Sequence, residues 1–146
     1  HAEGEGTSAT ADASHSEGFE TLARGFAAHA EGYQTTASGL YSHAAGRGSS
    51  ASATSAFAFG YNLVADQENG SVVGQWNLEG QTNVLFAVGN GADAESRSDA
   101  LQVDALGNVT ASGKVIASGQ DLLQLISALQ SQVDSLQMQL DALGGN

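Results

Sequence analysis

Four histidines stand 14 residues apart, at His1, His15, His29 and His43, and the first three are followed two residues later by Glu3, Glu17 and Glu31. Imidazole and carboxylate hydrogen-bond one another, and both are suitable ligands for Zn²⁺ or Ni²⁺. Structural His–Glu hydrogen bonding is the first reading of this pattern. An ion site (metal or anion) at His15, His29 and His43 is the alternative. Imidazoles stacked a few ångströms apart should resist charging, because like charges repel. The pattern therefore predicts weakening below about pH 6. The rest of the sequence offers little further chemistry. Cysteine is absent, which excludes a disulfide framework, a thiolate metal site and a cysteine nucleophile. Asp93 and Glu95 lie in a polar loop and do not form a glycosidase pair. No nucleophile motif or phosphate loop is present. Asn69-Gly70-Ser71 and Asn108-Val109-Thr110 match the glycosylation triplet and carry no chemistry of their own. The chain reads as a non-enzyme with no cofactor.

What must position these side chains is a repeat. Glycine recurs at Gly4, Gly18, Gly32, Gly46 and Gly60, also 14 apart. The half-period is filled by Ala11, Gly25, Gly39 and Ala53. A small residue returns every seventh position: Ala2, Ala9, Ser16, Ala23, Ala30, Ala37, Ala44, Ala51, Ala58 and Ala65. A coiled coil shares this period but needs large apolar residues at its seam. Alanine and glycine cannot supply them, and each interior glycine costs a helix about 1 kcal/mol. Small-x-small is instead the alternation of a short strand, with the small pair on one face. Short strands at a fixed period describe a β-solenoid, here with 14 residues per coil. The coil is narrow, so alanine and glycine point inward.

The outward residues then stack into columns about 4.8 Å per step. His1, His15, His29 and His43 form one, with Glu3, Glu17 and Glu31 beside it. In the next coil the pair becomes Phe57 and Phe59. A polar column that turns aromatic at its last rung predicts a face buried against a partner. A thin roll buries little apolar area alone, which points the same way.

Ser14-His15-Ser16-Glu17-Gly18, Ala28-His29-Ala30-Glu31-Gly32 and Ser42-His43-Ala44-Ala45-Gly46 resemble the Ser-Val-Ala-Ile-Gly repeat of trimeric autotransporter adhesin heads (YadA-like heads). Thr35-Thr36-Ala37-Ser38-Gly39 resembles the half-repeat of that family. The resemblance covers residues 1 to about 65. It implies a left-handed parallel β-roll and a homotrimer. His and Glu stand where the family often has Val and Ile, so the implied trimer interface is polar until Phe57 and Phe59. A second resemblance lies between residues 71 and 113. Val72-Val73-Gly74-Gln75-Trp76-Asn77, Leu85-Phe86-Ala87-Val88-Gly89-Asn90-Gly91, Arg97-Ser98-Asp99-Ala100-Leu101-Gln102-Val103 and Gly107-Asn108-Val109 resemble segments of bacteriophage tail-appendage proteins. In such proteins a self-cleaving chaperone often follows. No such motif surrounds Lys114, the one lysine, so autoproteolysis is not expected.

Residues 81–119 read as short strands of a compact β-insert. Asn83 to Val88 is apolar and β-rich, and Gly89-Asn90-Gly91 is a turn signal. Leu101 to Val103, Asn108 to Thr110 and Lys114 to Ala117 alternate. Trp76, Leu85, Phe86 and Val88 are the expected core. Arg97 sits among Asp93, Glu95 and Asp99. A surface ion pair is its first reading, and a buried pair holding the insert is the second.

From residue 120 the period changes. Ile126, Val133 and Leu140 fall at a, and Leu122, Leu129, Leu136 and Leu143 fall at d, of a heptad seam. Gln120 and Asp121 open the helix, and Gly144-Gly145 closes it. β-branched residues at a with leucine at d favour two strands in isolated coiled coils. The adhesin-like head implies three, and three is the expectation.

The formal net charge of −12, with four Lys plus Arg, suits neither nucleic acid nor an anionic membrane surface. No apolar run of about 18 residues exists to span a membrane. Opening inside a repeat, the chain reads as a piece of something longer. The whole is expected to be mostly β with a C-terminal helix: a roll over 1–66, a β-rich neck over 67–119 and a trimeric coiled-coil stalk over 120–146. The expected function is extracellular attachment, on a bacterial surface or virion tail, to a protein or glycan receptor. A structural spacer is the alternative.

Overall fold

The computed structural model describes residues 1–144, and the seven-residue small series is its core. Each coil joins a longer strand to a short one: β1 (Ala2–Glu5) with β2 (Ser8–Ala9), β3 (His15–Phe19) with β4 (Leu22–Ala23), β5 (His29–Tyr33) with β6 (Thr36–Ala37), β7 (His43–Arg47) with β8 (Ser50–Ala51), and β9 (Phe57–Tyr61) with β10 (Val64–Ala65). β11 (Ser71–Gln75) opens a sixth turn. The long strands pair in parallel with a 14-residue offset, His15 opposite His29 and His29 opposite His43. The short strands form a second parallel sheet in the order β10-β8-β6-β4-β2. This is a parallel β-solenoid.

Its interior is mostly alanine, with Thr21, Thr35 and Leu63 also buried. Ala23, Ala30, Ala37, Ala44, Ala51 and Ala58 are fully buried between the two sheets. Ser16 takes the same inward position, and its hydroxyl is bonded to Thr21 Oγ1 at 2.8 Å. Each alanine buries one methyl, worth on the order of 1 kcal/mol. The backbone ladders therefore contribute much of the cohesion. Glycine is required where the coils touch. Gly18 and Gly32 have φ of +112° and +103°, and a Cβ at either would overlap the carbonyl oxygen of the glycine in the next coil.

The corners repeat as well. Residues 13, 20, 27, 34, 41, 55, 62, 69 and 76 are left-handed without being glycine, with φ between 45° and 58°, and Gly48 fills the gap in that series. An L-residue there costs roughly 1–2 kcal/mol. Stacking offsets it: Ala27 N donates to Asp12 O at 3.0 Å and Tyr41 N to Phe26 O at 2.9 Å, so each strained amide is locked to the coil before it.

The stacking continues past residue 66. β11 pairs in parallel with β9, and β12 (Val84–Asn90) pairs in parallel with β11 at a 15-residue offset, Ser71 opposite Phe86. β13 (Asp99–Asp104) and β14 (Val109–Ala111) then add antiparallel strands to the same sheet. Asp104 holds the turn between them. Its carboxylate accepts from Asn108 Nδ2 and from the Asn108 and Leu106 amides, which keeps it below the usual carboxylate range.

Three expectations for this region are corrected. Gly89 and Asn90 belong to strand β12 rather than to a turn. The buried hydrophobic residues here are Val72 and Ala87, because the inward positions are inherited from the solenoid. Leu85 is instead exposed, and Trp76, Phe86 and Val88 are only half-buried. Arg97 pairs with Glu79 at 2.7 Å rather than with Asp93, Glu95 or Asp99. It also donates to Asn62 O and Asn77 O and lies over the Trp76 ring, so its role is structural.

Asn77 closes the short-strand sheet. It is 2% exposed, its Oδ1 accepts from Val64 N at 2.8 Å, and its Nδ2 donates to Val64 O and Leu78 O. One side chain thus satisfies an edge that another strand would otherwise pair.

Residues 1–112 form one compact unit, and a second begins at Gly113. The second holds a small hairpin, β15 (Ile116–Ala117) with β16 (Gln120–Asp121), and the helix α1 (Leu122–Gly144). Asp121 Oδ1 caps the helix by accepting from Leu123 N at 3.0 Å. Gly145 of the expected terminator lies outside the described residues. None of the helix residues is buried.

Candidate functional site: the histidine–glutamate ladder

The outward face of the long-strand sheet carries three parallel columns. Residues 15, 17 and 19 of β3 point away from Ser16, and the parallel register repeats them coil after coil.

The first column is imidazole. Ring centroids lie 5.0 Å apart from His1 to His15, 4.8 Å from His15 to His29 and 4.6 Å from His29 to His43. Phe57 continues it, edge-on to His43 at 5.3 Å. The second column places Glu3, Glu17 and Glu31 opposite one another, then Ala45 and Phe59. The structure therefore brings together every ladder residue expected from the sequence. The face changes from polar to apolar at Phe57 and Phe59, and Val73, Phe86 and Val88 extend its apolar half.

The expected His–Glu hydrogen bond forms only at the first rung, between His1 Nε2 and Glu3 Oε2 at 3.4 Å. At the next rungs the carboxylates lie 3.5 Å from the ring nitrogens, Glu17 Oε2 beside His15 Nε2 and Glu31 Oε1 beside His43 Nε2. The Nε2 atoms of His15, His29 and His43 are shielded from solvent and have no hydrogen-bond partner. Two overlapping triads result, His15/Glu17/His29 and His29/Glu31/His43, with the ligand-type atoms of each within 4.8 Å of one another. Burial and the neighbouring His43 hold the His29 imidazole below its ordinary value of 6.5, against the opposing pull of Glu31. Neutral imidazole is the form that accepts a hydrogen bond or a cation.

The third column is aromatic and cationic. Phe19 stacks on Tyr33 with centroids 5.2 Å apart, and Arg47 lies over both Tyr33 and Tyr61. Periodicity alone does not signal this interleaved arginine. Phe19 and Arg47 thus lie against the tyrosine rings, and Tyr33 and Tyr61 remain 41% and 38% exposed. Elsewhere on the roll, Phe26 meets Tyr41 edge-on at 5.7 Å, and Leu40 is half exposed.

The seven seam residues of α1, Leu122, Ile126, Leu129, Val133, Leu136, Leu140 and Leu143, are all exposed, from 36% at Leu122 to 77% at Leu143. Comparison of the chain with protein-family models, curated proteins and solved structures returns no match.

Proposed function

We propose that this chain is a segment of a homotrimeric fibre whose role is attachment, displayed extracellularly on a bacterial surface or a virion tail. The observation that carries the reading is the helix. Seven large apolar residues at heptad spacing all face solvent in the single chain, and such a seam is stable in water only against partner helices. The ladder face supports the same reading, because its apolar half leaves Phe59 54% exposed. Resemblance of residues 1 to about 65 to YadA-like heads, and of 71 to 113 to phage tail appendages, favours three chains over two. A rigid roll repeating one surface every coil suits avidity from weak contacts with a protein or glycan receptor.

One observation favours the spacer alternative. Exposed aromatics such as Tyr33 and Tyr61 are occupied by Phe19 and Arg47, so they are poor platforms for a sugar ring. Binding of the labelled full chain to arrayed glycans and extracellular-matrix proteins separates the two. Retention that falls on Tyr41→Ala supports attachment. A trimer that binds nothing supports the spacer.

A further inference from the structure

We propose that the histidine–glutamate ladder is a binding site for one borderline divalent transition-metal ion per chain, of the Zn²⁺, Ni²⁺ or Co²⁺ class, centred on His29. The proposal stands on the geometry of a single chain and does not depend on the attachment reading.

Three features point to it. First, three ring nitrogens are withdrawn from solvent without a partner. Buried polar atoms are otherwise almost always satisfied. A neutral imidazole carrying its proton on Nδ1 presents a lone pair at Nε2. Second, the spacing is that of a coordination polyhedron. The His15 Nε2–Glu17 Oε2 and His43 Nε2–Glu31 Oε1 separations are both 3.5 Å. Metal–ligand bonds of about 2.0–2.1 Å set tetrahedral ligands roughly 3.4 Å apart. The third ligand atom of each triad already lies within 4.8 Å of the others, a gap that small ring and carboxylate rotations close. Third, the donor set selects the metal class. Two imidazoles and one carboxylate suit borderline cations, whereas Ca²⁺ and Mg²⁺ demand oxygen. Three protein ligands leave a fourth position open to water.

The stoichiometry follows from His29. It belongs to both triads, and one Nε2 lone pair serves one ion. Occupying His15/Glu17/His29 therefore empties His29/Glu31/His43, so a chain holds one ion and not two. The ladder also supplies a conservative variant. Phe57 already packs edge-on against His43 one rung along, so His29→Phe removes the shared ligand while keeping an aromatic ring in the column.

The test is titration calorimetry of the full chain with ZnCl₂, NiCl₂ and MgCl₂, with circular dichroism as the fold control. Zn²⁺ and Ni²⁺ are expected to bind at one ion per chain and Mg²⁺ not at all. His29→Phe should weaken binding by more than about 10-fold, the lower bound seen when even the groups behind metal ligands are disturbed. His15→Phe and His43→Phe each leave one triad intact and should retain binding, whereas the double variant should lose it. Should His29→Phe fail to fold, Glu17→Gln with Glu31→Gln removes the carboxylate from both triads. Its expected loss is again more than about 10-fold. Absence of Zn²⁺ and Ni²⁺ binding, binding that survives in a folded His29→Phe chain, or one ion per three chains would each overturn the proposal.

Discussion

From Ser16 to Ala65 a small residue returns every seven positions, and from Leu122 to Leu143 a leucine does the same. The first segment is a solenoid and the second a helix. Residue size separates them. Alanine lets two sheets approach until the inward methyls are fully buried. Leucine at every such position would overfill so thin a coil, whose buried Leu63 lies off that series, and on a helix it forms a stripe along one side. The consequences for cohesion are opposite. The roll closes its core and most of its backbone hydrogen bonds within one chain. The helix satisfies its backbone and leaves its whole apolar seam in water. Periodicity thus names a repeat, and side-chain volume decides whether the chain completes it alone.

The sharpest break of that contrast is overpacking. Ala44→Leu places extra carbons where the roll is fully buried and should cost about 3 kcal/mol. Leu129→Ala, on the seam exposed in the single chain, should lower the melting temperature of the roll far less, and only through the assembly. Scanning calorimetry of both variants checks this. Asn77→Ala comes next. It strips Val64 N and O of their partners, and a loss of about 2 kcal/mol is expected in chemical unfolding. A third test applies one substitution to both regions. Ala27 is left-handed at φ 51°, so Ala27→Gly should stabilise the roll by roughly 1 kcal/mol. Ala128 is inside α1, and Ala128→Gly should cost the helix about 1 kcal/mol. Like signs in the two melts would contradict the assignment.

The smallest effect is pH. In metal-free buffer the folded roll holds His29 below its ordinary value of 6.5, chiefly by burial and then by His43, with His15 adding and Glu31 and Glu17 opposing. A group whose folded value is lowered binds fewer protons folded than unfolded. Its contribution is complete above about 6.5 and is lost as pH falls through the folded value. The roll should therefore melt slightly lower in mild acid, and His29→Phe should flatten that slope.

Much of the roll was legible because its signal is local and repeated. The inward alanines, the touching glycines and the His and Glu columns all fall where the spacing puts them. Two kinds of feature were not. The left-handed corners are occupied by residues as different as Ala27, Gln34 and Tyr41. Stacking imposes that conformation, so composition does not report it. The turn at β11 keeps the 14-residue offset, with Gly74 opposite Gly60, but the offset becomes 15 at β12, which breaks the period beyond it and shifts the inward position to Ala87. Of the candidate site, the columns were readable, but their unpartnered nitrogens depend on side-chain orientation. Arg97 likewise found Glu79 through the fold, passing over acids closer in sequence.

Light scattering after size exclusion tests the central claim most directly, that the exposed seam and ladder face belong to an assembly. The expected mass is three times the 14.7 kDa chain, falling toward one chain on Leu129→Asn with the β signal of the roll retained. A monomer at every concentration would contradict it, and a stable dimer would contradict the three-fold stoichiometry.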